Sequence, residues 1–314
     1  AREMQRLAAA AVGGSAEQFL VMSTGVIGIP LPMDRVGAGI DAAASRLSSA
    51  NSRAAAEAIM TTDTHPKFMA LEVDLPGGRV ILGGMAKGAG MLHPDMATML
   101  CVLTTDAAIP AAMLDELLRE AADRSFNAIS IDGDTSTNAT VLLLANGASG
   151  VTIADEISRA MFSTALGELC HALAMMIVRD GEGASRVVTV QVTGAATAAD
   201  ARQVANTIAT SPLVKTAFAG GDPNWGRIMM ATGRSGVELR QDRLALWIAA
   251  PDGDPLAIVR NGTPTDYRES DAAAVFARPE FIVHVDLGAG TGEATIWTTD
   301  LTHDYVTINA DYRT

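Results

Sequence analysis

The chain has 314 residues, 48% of them hydrophobic and 19% charged, with a net charge of −13. That composition is globular, not disordered, and the length suits one large domain or two ordinary ones. The acidity argues against nucleic acid as a partner, since that ligand selects basic patches.

No run approaches the roughly 18 apolar residues of a membrane span, and no basic-then-apolar leader opens the chain. No membrane association is therefore expected. Cys101 and Cys170 are the two cysteines. They lack metal spacing and sit in apolar or helical contexts, so they read as buried free thiols in a reducing, cytoplasmic compartment. The histidines are scattered without a paired-ligand pattern, so no metal site is expected.

Ala1 to Val12 read as the middle of a helix, as if a preceding segment were missing. Residues 19–22 read as a short buried strand. It ends at a turn, Ser23 to Gly28, that either presents a backbone N–H to a developing oxyanion or simply connects two elements. Asp34 is expected to cap a helix carrying Val36, Ile40, Ala43, Ala44 and Leu47. A second helix, Ser52 to Ile59, leads into Met60-Thr-Thr-Asp-Thr-His-Pro66. This turn is either a polar ligand-binding turn or a plain cap-and-turn ended by proline.

Strands at 67–74 and 79–84 are joined by Leu75-Pro-Gly-Gly78, a hairpin signal. They deliver the chain to Lys87-Gly-Ala-Gly-Met-Leu-His-Pro-Asp-Met-Ala-Thr98, ahead of an apolar strand, Met99–Leu103. Lys87 either holds a substrate carboxylate or is a solvated surface lysine. Thr98 is a candidate nucleophile. A threonine hydroxyl needs a base beside it, and its own α-amine is one. That amine exists only if the Ala97–Thr98 bond is cut. The alternative is a glycine-rich loop that merely enters a core strand.

Pro110 opens a helix with the stripe Met113, Leu114, Leu117, Leu118 and Ala121. The loop Ile131 to Thr140 carries two aspartates and many hydroxyls. It shares composition with a calcium loop but lacks the twelfth-position glutamate, so it reads as a structural loop crossing the site before a strand at 141–145. The longest helix, 154–178, has apolar positions that include Ile157, Met161, Ala165, Leu169, Leu173 and Ile177. Glu182 follows between two glycines, placed either for a substrate ammonium or as a surface residue past a helix end. A strand at Val188–Val192 and a helix at 199–208 come next. The stretch 211–227 is polar and aromatic, and either lines a pocket or pins a loop to the core. Strands near 244–249, 281–287 and 294–298 precede a tail anchored by Tyr305, Val306 and Ile308, which is expected to dock. Helices and strands alternate throughout, so a layered mixed α/β fold is the default.

Several of these segments, in this order, resemble the glutamate N-acetyltransferase / ornithine acetyltransferase family of arginine biosynthesis. They are Met60-Thr-Thr-Asp-Thr, Lys87-Gly-Ala-Gly-Met…Met96-Ala-Thr-Met-Leu, Asp132-Gly-Asp-Thr-Ser-Thr-Asn, Asp222-Pro-Asn-Trp-Gly-Arg and Ile308-Asn-Ala-Asp-Tyr-Arg. The resemblance runs from Ser23 to Thr314. It implies stacked α/β/β/α layers of the ornithine acetyltransferase/aminopeptidase type, without the family's N-terminal portion. It implies self-cleavage between Ala97 and Thr98, giving an α-chain portion (1–97) and a β-chain (98–314) that stay together as one catalytic unit in an α2β2 assembly.

Thr98 would then carry acetyl from N-acetylornithine to glutamate as an acetyl-threonine. Acetyl-CoA is a further possible donor, and no other cofactor is implied. Thr24 and Gly25 match the family's oxyanion pair. Thr61, Lys87, Thr98, Glu182, Asn309 and Thr314 match its substrate-binding positions. One departure is Ala139, where an acidic residue is expected after Asn138. Two other readings stay open: a hydrolase or aminopeptidase using the same threonine, and a non-catalytic protein that keeps the fold.

Overall fold

The computed structural model describes residues 1–93 and 99–311. Ala97, Thr98 and Thr314 therefore lie outside the described residues.

The chain opens with α1 (Arg2–Val12) and α2 (Met33–Ala44), which pack on each other, followed by α3 (Ser52–Ala58). Residues 19–22 form no strand. Their apolar run has no neighbouring strand to complete its hydrogen bonds, and Leu20 is left exposed. Asp34 does not cap α2. The N-cap is Pro32, and Asp34 sits in the first turn, where the helix dipole still favours a carboxylate.

The hairpin is present as β1 (Lys67–Leu75) and β2 (Gly78–Lys87), in antiparallel register from Leu75↔Gly78 to Lys67↔Ala86. β2 pairs antiparallel with β3 (Leu100–Thr105), ending at Lys87↔Leu100. From β3 the chain passes through α4 (Ala111–Asp123) and the short β4 (Ile129–Ser130) to β5 (Thr140–Ala145). A parallel pair needs such a crossover, and β5 duly pairs parallel with β3. The first sheet is thus four-stranded, in the order β1-β2-β3-β5.

α5 (Glu156–Arg179) follows, capped by the Asp155 carboxylate, which accepts from the Ser158 amide at 2.9 Å. By length and composition this helix is apolar enough to cross a membrane, a feature the sequence reading overlooked. It is instead a core helix, with Phe162, Leu166, Leu169, Leu173 and Ile177 buried and its packing against β1 and β2. Ile157 and Met161 are exposed, not part of that face.

β6 (Val187–Ala195), α6 (Ala198–Ala209), α7 (Pro212–Gly220) and α8 (Trp225–Gly233) come next. β7 (Ala245–Ala249), β8 (Leu256–Arg260), β9 (Thr263–Pro264), α9 (Glu269–Phe276), β10 (Glu280–Asp286) and β11 (Gly292–Thr299) complete a seven-stranded sheet in the order β4-β11-β6-β10-β7-β8-β9. The last element is α10 (His303–Asp311), held by Tyr305 and Asn309, whereas Val306 and Ile308, expected as anchors, are exposed.

Both sheets mix parallel and antiparallel pairs, so the layered mixed α/β class is as expected. Two apolar cores hold the layers. One joins α4 and α5 to the first sheet, and the other joins α6 to α9 to the second. Cys101 and Cys170 are buried free thiols in the first core. Burial pushes the Cys170 thiol up to about 12, so it stays protonated and unreactive.

Lys215 on α7 is buried at the end of β11. Its ammonium donates to Thr298 Oγ1 (3.1 Å), to the Thr299 carbonyl and to Thr299 Oγ1 (3.3 Å). Burial lowers its pKa to about 7, against the opposing pull of Asp300 and Asp132. Between that value and the ordinary lysine value, the unfolded chain binds a proton that the folded chain does not. Stability from this residue therefore rises with pH across that window. Going from pH 7 to pH 9 should stabilise the wild type relative to Lys215→Met by about 2 kcal/mol. Denaturant melts of both proteins at the two pH values measure the difference.

Candidate active site

Six separated pieces of chain meet at a cavity of about 520 Å³. The end of β2 and the residues after it supply Lys87, Ala89 and Gly90. The turn before β1 supplies Thr61 and Thr62. The turn after α5 supplies Glu182. The loop 132–138 closes a further side, α10 adds Tyr305 and Asn309, and Thr24 and Gly25 face the cavity from the segment before α2. Its size fits a small-molecule site.

Lys87 is buried, at 2% exposure. The solvated-lysine alternative is therefore wrong. A strand alternates its faces, and the last residue of β2 points inward. Its ammonium donates to Thr61 Oγ1 at 3.1 Å. Burial lowers its pKa, and Lys67 adds to that, while Asp63 and Glu182 oppose it. A lysine in this position is short of acceptors and fits an incoming carboxylate.

Glu182 is half-buried. Its carboxylate accepts from Asn309 Nδ2 at 2.8 Å, and its amide donates to the Ala89 carbonyl at 2.8 Å. The close approach depends on Gly90. A Cβ there would lie 2.3 Å from Glu182 Oε2, well inside contact distance. The flanking Gly183 has φ +67°, and a Cβ on it would strike the Tyr305 amide at 2.4 Å. Glycine is thus required where the turn meets α10.

Thr24 and Gly25 lie in irregular chain just before the turn at 26–29. Among the described residues, no hydrogen bond is made by either amide, which leaves them available to a ligand oxygen. Thr61, Lys87, Glu182 and Asn309 are brought together here with them.

Asp132 and Tyr305 also belong to the site; on sequence alone Asp132 has only a place in the loop crossing it and Tyr305 only a role as an anchor of the tail. The Asp132 carboxylate accepts from the amides of Met91 (2.6 Å) and Leu92 (2.9 Å) and from the Tyr305 hydroxyl (3.2 Å). It fastens the chain approaching Thr98 to α10. Burial and then Asp132 push the Tyr305 phenol well above its ordinary value, so it remains a neutral donor. One signal was available: Tyr305 and Asn309 are four apart, on one helix face. The loop 132–138 does cross the site, as expected.

The 211–227 stretch does not reach this cavity. It forms α7 and α8, and Trp225 packs against the second core. Ala139 is half-buried and lines a different cavity with Met99 and Val141. Among the described residues, no group of His, Cys, Asp or Glu is arranged to hold a metal ion.

The ArgJ family model matches residues 1–314. The arginine biosynthesis bifunctional protein ArgJ of Symbiobacterium thermophilum is 52% identical, over all of this chain and 77% of that protein. The protein of the same name from Geobacter sulfurreducens is 48% identical, over all of this chain and 79% of its own. The crystal structure of arginine biosynthesis bifunctional protein argJ from Bacillus halodurans superimposes with a TM-score of 0.62 at 40% identity, covering 67% of this chain and 97% of that one. With the whole chain matched and relatives at this identity, the chain belongs to the ArgJ family.

Proposed function

We propose that this chain is a self-processing acetyltransferase of arginine biosynthesis, moving acetyl from N2-acetyl-L-ornithine to L-glutamate through an acetyl-threonine at Thr98. The observation that carries the reading is one cavity lined by a buried cation, Lys87, and a half-buried carboxylate, Glu182. Donor and acceptor both carry an α-carboxylate and an amino group, and a site with one partner for each suits both. The relatives' name, arginine biosynthesis bifunctional protein, supports the pathway.

In this mechanism the Ala97–Thr98 bond is cut first, which frees the Thr98 α-amine. That amine takes the hydroxyl proton as Thr98 Oγ attacks the acetyl carbonyl. The Thr24 and Gly25 segment donates to the oxyanion. The amine returns the proton to the departing ornithine nitrogen, leaving an acetyl ester. The glutamate amine attacks that ester, the Thr98 amine takes its proton and returns it to Thr98 Oγ, and the ester bond breaks. Thr61, Asn309 and Thr314 complete the substrate contacts.

The two pieces would stay joined because β2 and β3, on either side of the scission, are hydrogen-bonded from Leu82↔Thr105 to Lys87↔Leu100. We assign acetyl-CoA as the donor of a second activity, in keeping with the relatives' description as bifunctional. The assembly is α2β2 and the compartment is the cytoplasm, where the buried thiols would stay reduced.

Denaturing electrophoresis and product analysis test the reading. Wild type should run as two pieces and yield N-acetylglutamate only when glutamate is present. Acetate as the sole product, with or without glutamate, would instead support a hydrolase. Thr98→Ala should abolish both scission and transfer, and survival of either overturns the mechanism.

Gly90→Ala tests the acceptor site. By displacing the Glu182 carboxylate it should raise the KM for glutamate about tenfold, since small misplacements at a site carry effects of this order or larger. Steady-state kinetics at varied glutamate gives the value, and an unchanged KM would remove Glu182 from acceptor binding.

A further inference from the structure

Lys67 is a fully buried lysine, 1% exposed, that the transfer chemistry does not use. It opens β1, opposite Ala86 and so next to Lys87 on the paired strand. All three of its ammonium protons have acceptors: Asp63 Oδ1 at 2.6 Å, Asp180 Oδ2 at 2.5 Å and the His65 carbonyl at 3.4 Å.

Each of those two carboxylates in turn holds backbone. Asp63 accepts from the Gly88 amide at 2.7 Å and from the Thr61 amide at 3.1 Å. Asp180 accepts from the Thr64 amide at 3.0 Å and from the Thr64 hydroxyl. The ammonium is therefore the node where three chain segments meet. The first carries Thr61, the partner of Lys87. The second is the end of β2, which carries Lys87 itself. The third begins the turn that carries Glu182, two residues after Asp180. These are the two charges that face a substrate across the cavity.

We propose that Lys67 is a positioning residue that sets the spacing of Lys87 and Glu182, and so selects an α-amino acid over water as the acceptor of the acetyl group; this rests on the acetyl-transfer reading above. The acetyl-threonine ester has two exits. Attack by the glutamate amine forms the amide bond, breaks the ester bond and yields N-acetylglutamate. Attack by water breaks the same ester bond and yields acetate. Both return the Thr98 hydroxyl. Water needs neither Lys87 nor Glu182, whereas an amino acid held by its carboxylate at Lys87 and its amino group at Glu182 needs both at the right separation.

The test is the ratio of N-acetylglutamate to acetate formed from the acetylated enzyme at fixed glutamate. It is measured for wild type, Lys67→Met and Asp180→Asn, with the number of acetylated sites counted by intact mass. A loss of folded protein lowers the number of sites but leaves the ratio alone, so a purely structural role does not move this readout. Lys67→Met leaves two buried carboxylates without their cation and is the harsher change. Asp180→Asn keeps volume and one acceptor oxygen while removing the charge, and decides the matter should Lys67→Met fail to fold. The ratio should fall about tenfold or more in each folded variant, with a raised KM for glutamate. A wild-type ratio in a folded, acetylated variant overturns the inference. If wild type itself takes up no acetyl group, the transfer reading has failed and this inference falls with it.

Discussion

The antiparallel ladder between β2 and β3 is the constraint on which the site depends. It ends at Lys87↔Leu100, so the strand delivering the buried lysine and the strand leaving residue 98 are locked to one another. Everything else in the cavity is built around that edge. α5 packs on β1 and β2 and ends at the turn carrying Glu182. α10 folds back so that Tyr305 reaches Asp132 and Asn309 reaches Glu182. A cut between the two strands would leave the hydrogen bonds of this ladder in place.

Charge in the site is arranged in two tiers. Behind the wall, Asp63 and Asp180 share the Lys67 ammonium and several backbone amides. Burial alone would raise the Asp63 carboxyl. The Gly88 amide, the Lys67 ammonium and the Thr61 amide overcome that and hold it below the usual carboxylate range. The same balance, with Lys67 and Thr64 as the opposing partners, lowers Asp180. Those groups are paired with one another and with backbone amides. In front of the wall, Lys87 has a neutral hydroxyl as its hydrogen-bond partner and Glu182 an amide. In the proposed reaction this under-compensated pair is the one that a ligand carrying a carboxylate and an amino group would complete.

Much of this was legible in the residues. The Leu75-Pro-Gly-Gly78 turn and the alternation around it marked the β1–β2 hairpin, and the long apolar repeat marked α5. The hydroxyl-rich segments at 61–64 and 132–138 were singled out, and both reach the cavity. What stayed hidden was long-range. Burial of Lys87 depends on a hydroxyl 26 positions away, and that of Lys67 depends in part on a carboxylate 113 positions away. No local pattern reports either. α7 and α8 were hidden for a different reason. Pro212 and Gly221 look like turn punctuation, but they sit at the first position and the left-handed C-cap of α7, where helices favour them. The apolar run 19–22 misled because a strand needs a partner, and periodicity does not supply one.

In the proposed mechanism the Thr98 oxygen becomes a carrier of acetyl once its residue is a chain terminus. Intact mass measured after brief exposure of the purified protein to N-acetylornithine tests that most directly. It should show one added acetyl group on the piece beginning at Thr98 and none on the piece ending at Ala97. An unbroken chain, or an acetyl group on any other residue, would contradict it.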